Sequence, residues 1–272
     1  MIRIETSEGW TLVEHPEHAR LAGRFAARWG NAEFPGPEPR IDLLEAVARH
    51  DDAWADRDRV PFLTRQGRPS AFSQELVGAY SAFEEIDLAD YLAVRGRAAE
   101  AVAADNPYAA VIISMHTVDL LTTHVDLSGL SDADRELHRV FIEGQRKRQA
   151  ERIRALSTSQ RLAPFSTSGR LQRAFEFLQA CDSMSLTICS RYPRALPLRH
   201  QHPRRDGSMA EIVCTPLGND TYRLSPSPLD AAEVVFELPC RHVPGKEFSS
   251  QDAFRAAYAA APLSSLKVTL VK

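Results

Sequence analysis

The spacing of apolar residues changes once along this chain, and that change limits what it can fold into. From residue 15 to about residue 200, apolar residues recur at intervals of three and four, which is typical of helices. After Gly207 they alternate with polar residues, as over 210–214 and 266–270, which is typical of strands with one buried face. The chain is therefore predicted to be mainly α, with a helical core over 15–200 and a small antiparallel β appendage over 207–272.

A second alternating segment lies at the start of the chain. In residues 1–14, Ile2 and Ile4 precede a turn, and Trp10 and Leu12 follow it, which indicates a hairpin. A two-stranded hairpin is too small to be stable alone in water. We therefore expect this N-terminal hairpin to pack on the C-terminal strands and to complete their sheet.

The composition excludes several classes of protein. A formal net charge of −3 and a pI near 6.3 argue against a partner held through its phosphate backbone, so no nucleic acid is expected. No apolar run approaches the ~20 residues of a membrane span, and residues 1–5 lack the apolar region of a signal peptide, so the chain is expected in the cytoplasm and away from membranes. The four cysteines form no C-x-x-C pair and are expected to be reduced, buried thiols. The sequence does not specify an oligomeric state.

A doublet, His50-Asp51, ends the apolar segment 41–49. If the helix stops there, an imidazole nitrogen and a carboxylate oxygen can reach one divalent cation. Such doublets also occur by chance on solvated helix ends, so the rest of the chain has to decide. Three further polar residues lie inside apolar, helix-like segments, where each needs a partner or a metal. They are His18, His116 and Asp182, the last in a helix predicted over 168–189.

The order of these residues is a His on one helix, a His-Asp doublet at the end of a later helix, and a distant Asp on a late helix. This order resembles the HD-domain superfamily of metal-dependent phosphohydrolases, and the resemblance implies an HD-like helical core. By the same resemblance the metal ligands are His18, His50, Asp51 and Asp182. The surrounding segments are more specifically similar to a bacterial family known only as a domain of unknown function; they are Trp29-Gly30 and residues 50–54, 114–116 and 182–186.

The resemblance implies a metal-dependent hydrolase that acts on a small phosphate ester, with a metal-activated water as nucleophile. The ion would be Fe, Mn, Zn or Mg. Asp51 would bind the ion and orient the water, and Asp52 is the nearest candidate for a base. A second ion is left open, with His116 as its obvious ligand; His124 and His138 lie near predicted helix ends and are weaker candidates.

Four residues are candidates for contacts with a small phosphorylated ligand. Trp54 packs either against the ligand or in the core. Asp119 lies three residues after His116 and shares its helix face, so the two either line a pocket or bond to each other in the core. Gln145 and Arg146 lie in the polar middle of a long helix, which is either a solvated face or a cavity wall with an arginine that holds an anion.

Two other classes of function stay open at this point. A catalytically silent, metal- or ligand-binding sensory module would keep the fold and the ion without turnover. A purely structural helical protein would use the same His and Asp residues as hydrogen-bonded core groups and bind no metal. Metal content, measured beside activity on a panel of phosphate esters, separates the three classes.

Overall fold

The structure is a computed structural model that describes residues 1–73, 87–123 and 127–272. About 48% of the chain is helical and about 20% is in strands. The apolar spacing predicts two helices between residues 73 and 104. The first of these two helices and His124 lie outside the described residues.

Helices form the larger part of the described chain, and half of the described α-helices begin at a residue whose side chain caps the helix. Ser131 accepts a hydrogen bond from the amide of Asp134, and Asn106 accepts one from the amide of Ala109, so two long helices have side-chain N-caps. None of the helices described is both long and apolar enough to cross a bilayer. The helices are α1 (His15–Ala27), α2 (Arg40–Arg49), α3 (Ala55–Arg59), α4 (Leu88–Ala103), α5 (Pro107–Thr122), α6 (Asp132–Ser157), α7 (Ser168–Cys189) and α8 (Gln251–Ala260).

The strands form one large sheet and one short ribbon. The sheet has seven strands in the order β1-β2-β8-β9-β7-β6-β3, and its neighbours are antiparallel except for the parallel pair β7 and β9. The ribbon pairs β4 with β5. The strands are β1 (Ile2–Glu5), β2 (Gly9–Val13), β3 (Leu196–Pro197), β4 (His202–Pro203), β5 (Met209–Ala210), β6 (Val213–Gly218), β7 (Thr221–Ser225), β8 (Glu233–Pro244) and β9 (Leu263–Val271).

The prediction of a mainly α chain with a small β appendage is wrong. The seven-stranded sheet is large and curls into a half-barrel, and both ends of the chain contribute strands to it. The alternation predicted a strand only over 234–238, whereas β8 has 12 residues and continues through Pro239. Because β2 pairs with β8 only over 241–244, one side of Pro239 has no strand neighbour within 1–73, 87–123 and 127–272, and a missing N–H there breaks no ladder bond.

The sheet and the helices share one hydrophobic core. A single cluster of buried side chains contains Phe25 and Leu178 from the helices together with Leu224 and Phe236 from the sheet. Helix α1 contacts α2, α7 and β8, and helix α7 contacts α1, α2, α5 and β1. The two helices α1 and α7 therefore lie between the sheet and the other helices, so the half-barrel fixes the positions of the residues that these two helices carry.

The contact between β2 and β8 gives a test of this arrangement. Leu12 on β2 is 2% exposed and packs in a cluster with Trp10, Val243 and Phe254. We expect Leu12→Ala to lower the free energy of unfolding by about 2–5 kcal/mol, because it leaves a cavity under the sheet. Leu263→Ala, at a position 66% exposed on β9, is the control and should change it by less than about 0.5 kcal/mol. Urea unfolding measures both, and equal shifts would contradict the packing of β2.

Candidate metal centre

The end of helix α2 orients the His50-Asp51 doublet. His50 is the C-cap residue and keeps a helical backbone, while Asp51 has left it, with φ −118° and ψ 15°. The last carbonyls of a helix have no partner within the helix. One of them, the carbonyl of Val47, accepts a hydrogen bond from His50 Nδ1 at 2.8 Å. The helix end therefore turns the Nε2 edge of the imidazole away from its own backbone and toward the interior.

A glycine brings α1 against the same helix end. A Cβ added to Gly23 would lie 2.5 Å from the Cβ of Ala48, so α1 and α2 approach more closely than a side chain at Gly23 would allow. His18 lies five residues earlier on α1 and is fully buried. Its ring centroid is 5.1 Å from that of His50, with the two rings nearly perpendicular. Close packing of these helices thus places both imidazoles in one site.

Helices α5 and α7 complete the cluster with His116 and Asp182, both buried. The ring centroids of His50 and His116 are 5.4 Å apart. Burial lowers the pKa of His116 to about 3, so this imidazole is neutral at physiological pH, and its Nδ1 has no hydrogen-bond partner among the described residues. An unpartnered, buried polar atom at this place indicates a site that can receive a ligand.

The buried side chains form two groups, each of which could hold a metal ion. One consists of His18, His50 and Asp51 and the other of His50, His116 and Asp182, with the ligand atoms of each group within 4.8 Å of one another. All the donors are nitrogen or oxygen, which suits borderline and hard cations. His18 Nε2 lies 3.0 Å from Asp51 Oδ2 and 3.9 Å from Asp182 Oδ1. His50 Nε2 lies 3.3 Å from Asp182 Oδ1 and 4.0 Å from Asp51 Oδ2. His116 Nε2 lies 3.9 Å from Asp182 Oδ2.

The hydrogen bond to Val47 fixes the proton of a neutral His50 ring. A backbone carbonyl only accepts hydrogen bonds, so Nδ1 carries the hydrogen and Nε2 carries a lone pair. That lone pair lies 3.3 Å from Asp182 Oδ1, without the alignment of a hydrogen bond. A lone pair that faces a carboxylate oxygen is repelled unless a cation or a proton lies between them.

Ser185 holds the His18 ring from its Nδ1 side. The Ser185 hydroxyl oxygen lies 2.8 Å from His18 Nδ1 and 2.9 Å from the backbone carbonyl oxygen of Asp182. His18 Nε2 lies 3.0 Å from Asp51 Oδ2, and because an ionised carboxylate only accepts, the imidazole donates this hydrogen bond when no cation lies between them. The Nε2 atoms of both rings therefore face carboxylate oxygens, and hydrogen bonds outside the cluster hold both rings in that orientation.

The pKa values of the charged groups in the cluster also favour a bound cation. Burial alone would raise the pKa of Asp51, but the Arg95 guanidinium and the imidazoles of His50 and His18 hold it well below its usual range. Burial also opposes ionisation of Asp182, whose pKa the nearby His50 nevertheless keeps below its usual range. Burial would lower the pKa of His50, but Asp51 and Asp182 raise it to about 9. The two carboxylates are thus ionised, and without a metal a proton on His50 offsets part of their charge.

Comparison with known protein families identifies the family of this chain. The sequence profile of a family described as a protein of unknown function, DUF3891, matches residues 1–245. The chain belongs to the DUF3891 family. The match includes all five His and Asp residues of the cluster and ends before α8 and β9. Comparisons with curated proteins and with solved structures gave no match.

Two residues beside the doublet lie outside the ligand cluster of this DUF3891 chain. The Asp52 carboxylate accepts a hydrogen bond from Arg49 Nε at 3.0 Å and lies 3.5 Å from an Arg20 nitrogen, in a half-exposed surface network. It is therefore paired with arginines and not directed at the ligand atoms. Trp54 is buried, with its ring centroid 4.7 Å from that of His15 and 5.7 Å from that of Tyr91, so it packs in the core.

The other residues that the sequence predicts to contact the ligand lie on helices α5 and α6. Asp119 is one turn beyond His116 and accepts a hydrogen bond from Gln179 at 2.6 Å. Gln145 is fully buried on α6 and accepts a hydrogen bond from Ser114. Arg146 follows it on the exposed face of α6. His138, named as a weaker ligand candidate, instead bonds to the carbonyl of Leu121.

Sequence reasoning missed Arg95 and Ser185. Arg95 lies on α4, is 6% exposed, and donates through Nη1 to Asp51 Oδ1 at 2.7 Å. A signal was present, because Arg95 occupies the same helical stripe as the buried residues Tyr91, Ala98 and Val102, where a charge needs a buried partner. Ser185 carried no such signal, since a serine one turn after an aspartate is common in any helix.

The cluster predicts how metal binding responds to loss of a carboxylate. We expect Asp182→Ala and Asp51→Asn each to lower the affinity for Mn²⁺ or Zn²⁺ by at least about 100-fold, the upper range for loss of a residue that only supports a ligand. Their double variant should show less than additive loss, because both residues serve one ion. Calorimetric titration measures this, with the fully exposed Asp132→Ala as control. Full occupancy in Asp182→Ala would exclude Asp182 as a ligand.

Proposed function

We propose that this chain is a metal-dependent hydrolase that acts on a small phosphate ester. The observation that carries the proposal is the convergence of two imidazole Nε2 atoms on two ionised, buried carboxylates. A cation stabilises such an arrangement, and the order of the four residues resembles that of the HD-domain phosphohydrolases. The resemblance supplies the reaction class, and the geometry supports the metal centre on which that class depends.

The residues that would hold the ion are His18, His50, Asp51 and Asp182. Their two imidazoles favour Mn, Fe or Zn over Mg, which prefers an all-oxygen shell. When bound, a divalent ion of this kind polarises a phosphoryl oxygen and lowers the pKa of a bound water. The protein contributes rigidity, because Val47 and Ser185 hold the two rings before any ion arrives.

Two further side chains support a ligand beside the ion. His116 Nδ1 is buried without a partner among the described residues, so it is available to hydrogen-bond a phosphate oxygen or a water. Arg95 places a permanent positive charge against Asp51. In a site from which water is largely excluded, such fixed charges act more strongly on an anion than they do in solvent.

A second candidate function is a metal-dependent binding or sensory module without turnover. It is favoured by the enclosure of the cluster, since the side chains of the four proposed ligands are between 0% and 9% exposed. A catalytic centre has to admit a substrate, whereas a structural or sensory ion needs no open position. Both functions need the ion, so turnover distinguishes them.

The proposed activity is tested on protein loaded with Mn²⁺, Fe²⁺ or Zn²⁺ and a panel of phosphomonoesters, phosphodiesters, nucleotides and cyclic dinucleotides. We expect hydrolysis that a chelator abolishes and that Asp182→Ala lowers by at least about 100-fold in kcat/KM, as for loss of a metal ligand. The exposed Asp132→Ala should keep full activity. Tight metal binding without hydrolysis of any panel member would favour the silent module, and absence of metal binding would exclude both.

His116 gives a separate prediction, because it can hydrogen-bond the phosphate ester or a water without being a ligand of the metal ion. We expect His116→Ala to retain one metal equivalent while kcat falls by about 100-fold, the lower range for loss of a proton-transferring side chain. The exposed His242→Ala is the matched control and should leave kcat unchanged. Metal analysis and steady-state kinetics on the same preparations check this, and loss of the ion in His116→Ala would make His116 a ligand instead.

A further inference from the structure

The two candidate ligand groups cannot both be filled, because they share one atom. Both contain His50, and its Nδ1 is bonded to the Val47 carbonyl, so only Nε2 is left for a metal. If His50 binds an ion together with His18, Asp51 and Asp182 Oδ1, the second group keeps only His116 and the other oxygen of Asp182. Protein metal sites of this type use at least three protein ligands, so a second ion would lack one among the residues that the structure describes.

The missing third ligand would be the other oxygen of Asp51, and Arg95 already occupies it. Arg95 Nη1 donates to Asp51 Oδ1 at 2.7 Å, while Oδ2 faces His18. The guanidinium is itself held in place, since Nε donates to the Tyr91 hydroxyl at 3.1 Å and the guanidinium carbon lies 5.2 Å from the centre of the Trp54 ring. An arginine keeps its charge at any physiological pH. A fixed positive charge therefore lies where a second cation would need its oxygen.

We propose that Arg95 takes the place of a second metal ion, so that this centre holds one divalent cation and one guanidinium. The inference rests on the proposed metal site and specifies its nuclearity. Arg95 acts through Asp51 as a positioning residue: it fixes Oδ1 and directs Oδ2 to the cation. The charges of the ion and the two carboxylates cancel, so the guanidinium leaves the centre with one net positive charge, which suits an anionic ligand.

The number of bound ions tests this directly. Apo protein is titrated with Mn²⁺, bound metal is counted by elemental analysis, and electron paramagnetic resonance shows whether two Mn²⁺ ions are coupled. We expect one uncoupled equivalent in the wild-type protein and in Arg95→Lys, which keeps the charge. Arg95→Ala frees Asp51 Oδ1 and should bind two coupled equivalents. Adding His116→Ala to Arg95→Ala should return the count to one, since it removes a ligand of the second ion.

Each outcome decides between the alternatives. Two coupled ions in the wild-type protein, or a single ion in folded Arg95→Ala, would overturn the role of Arg95 while leaving the proposed hydrolase intact. No bound Mn²⁺ in the wild-type protein would instead overturn the metal centre itself. If circular dichroism shows that Arg95→Ala does not fold, Arg95→Met removes both the charge and the hydrogen-bond donors while it keeps much of the side-chain volume, and it takes the place of Arg95→Ala. The wild-type count needs no variant and can overturn the inference by itself.

Discussion

The orientation of two histidine rings toward two buried carboxylates is the constraint on which the rest of this structure depends. The Val47 carbonyl and the Ser185 hydroxyl each hold one ring by Nδ1, so the Nε2 atoms of His18 and His50 face acidic oxygens. Each contact is repulsive unless a proton or a metal cation brings a positive charge between the nitrogen and the oxygen. When no metal is bound, a proton on His50 supplies part of that charge, so ion binding and protonation compete for one place.

The half-barrel explains how the chain keeps these buried polar side chains together despite the free-energy cost of their burial. Helices α1 and α7 carry His18 and Asp182, and both pack between the sheet and the other helices in one continuous core. The close approach at Gly23 then sets the distance from α1 to the end of α2. A buried polar cluster is stable only if its members stay together, and this packing holds them in contact. The sheet, which pairs β2 with β8 from opposite ends of the chain, is therefore part of the support of the site.

Arg95 changes what the cluster can do. A carboxylate with both oxygens available can bridge two cations, but Asp51 has one oxygen on a guanidinium. Helix α4 thus contributes a charge to a centre whose other side chains come from α1, α2 and its end, α5 and α7. The result is a site with separate places for an ion and an arginine, both able to act on one anion. The neutral His116 lies on the other side of Asp182 and adds a hydrogen-bonding atom without adding charge.

The sequence by itself determined the local parts of this protein. The predicted helix over 168–189 is confirmed, and α2 ends at the doublet as its apolar spacing predicts, because such features depend on hydrogen bonds and side-chain periodicity within a few residues. Tertiary structure decided the rest. Asp51 and Asp52 are adjacent in the chain, yet the turn after α2 sends one to the cluster and the other to surface arginines. The size of the sheet and the contact of Arg95 with Asp51 follow from pairing between segments far apart in sequence, which no local pattern encodes.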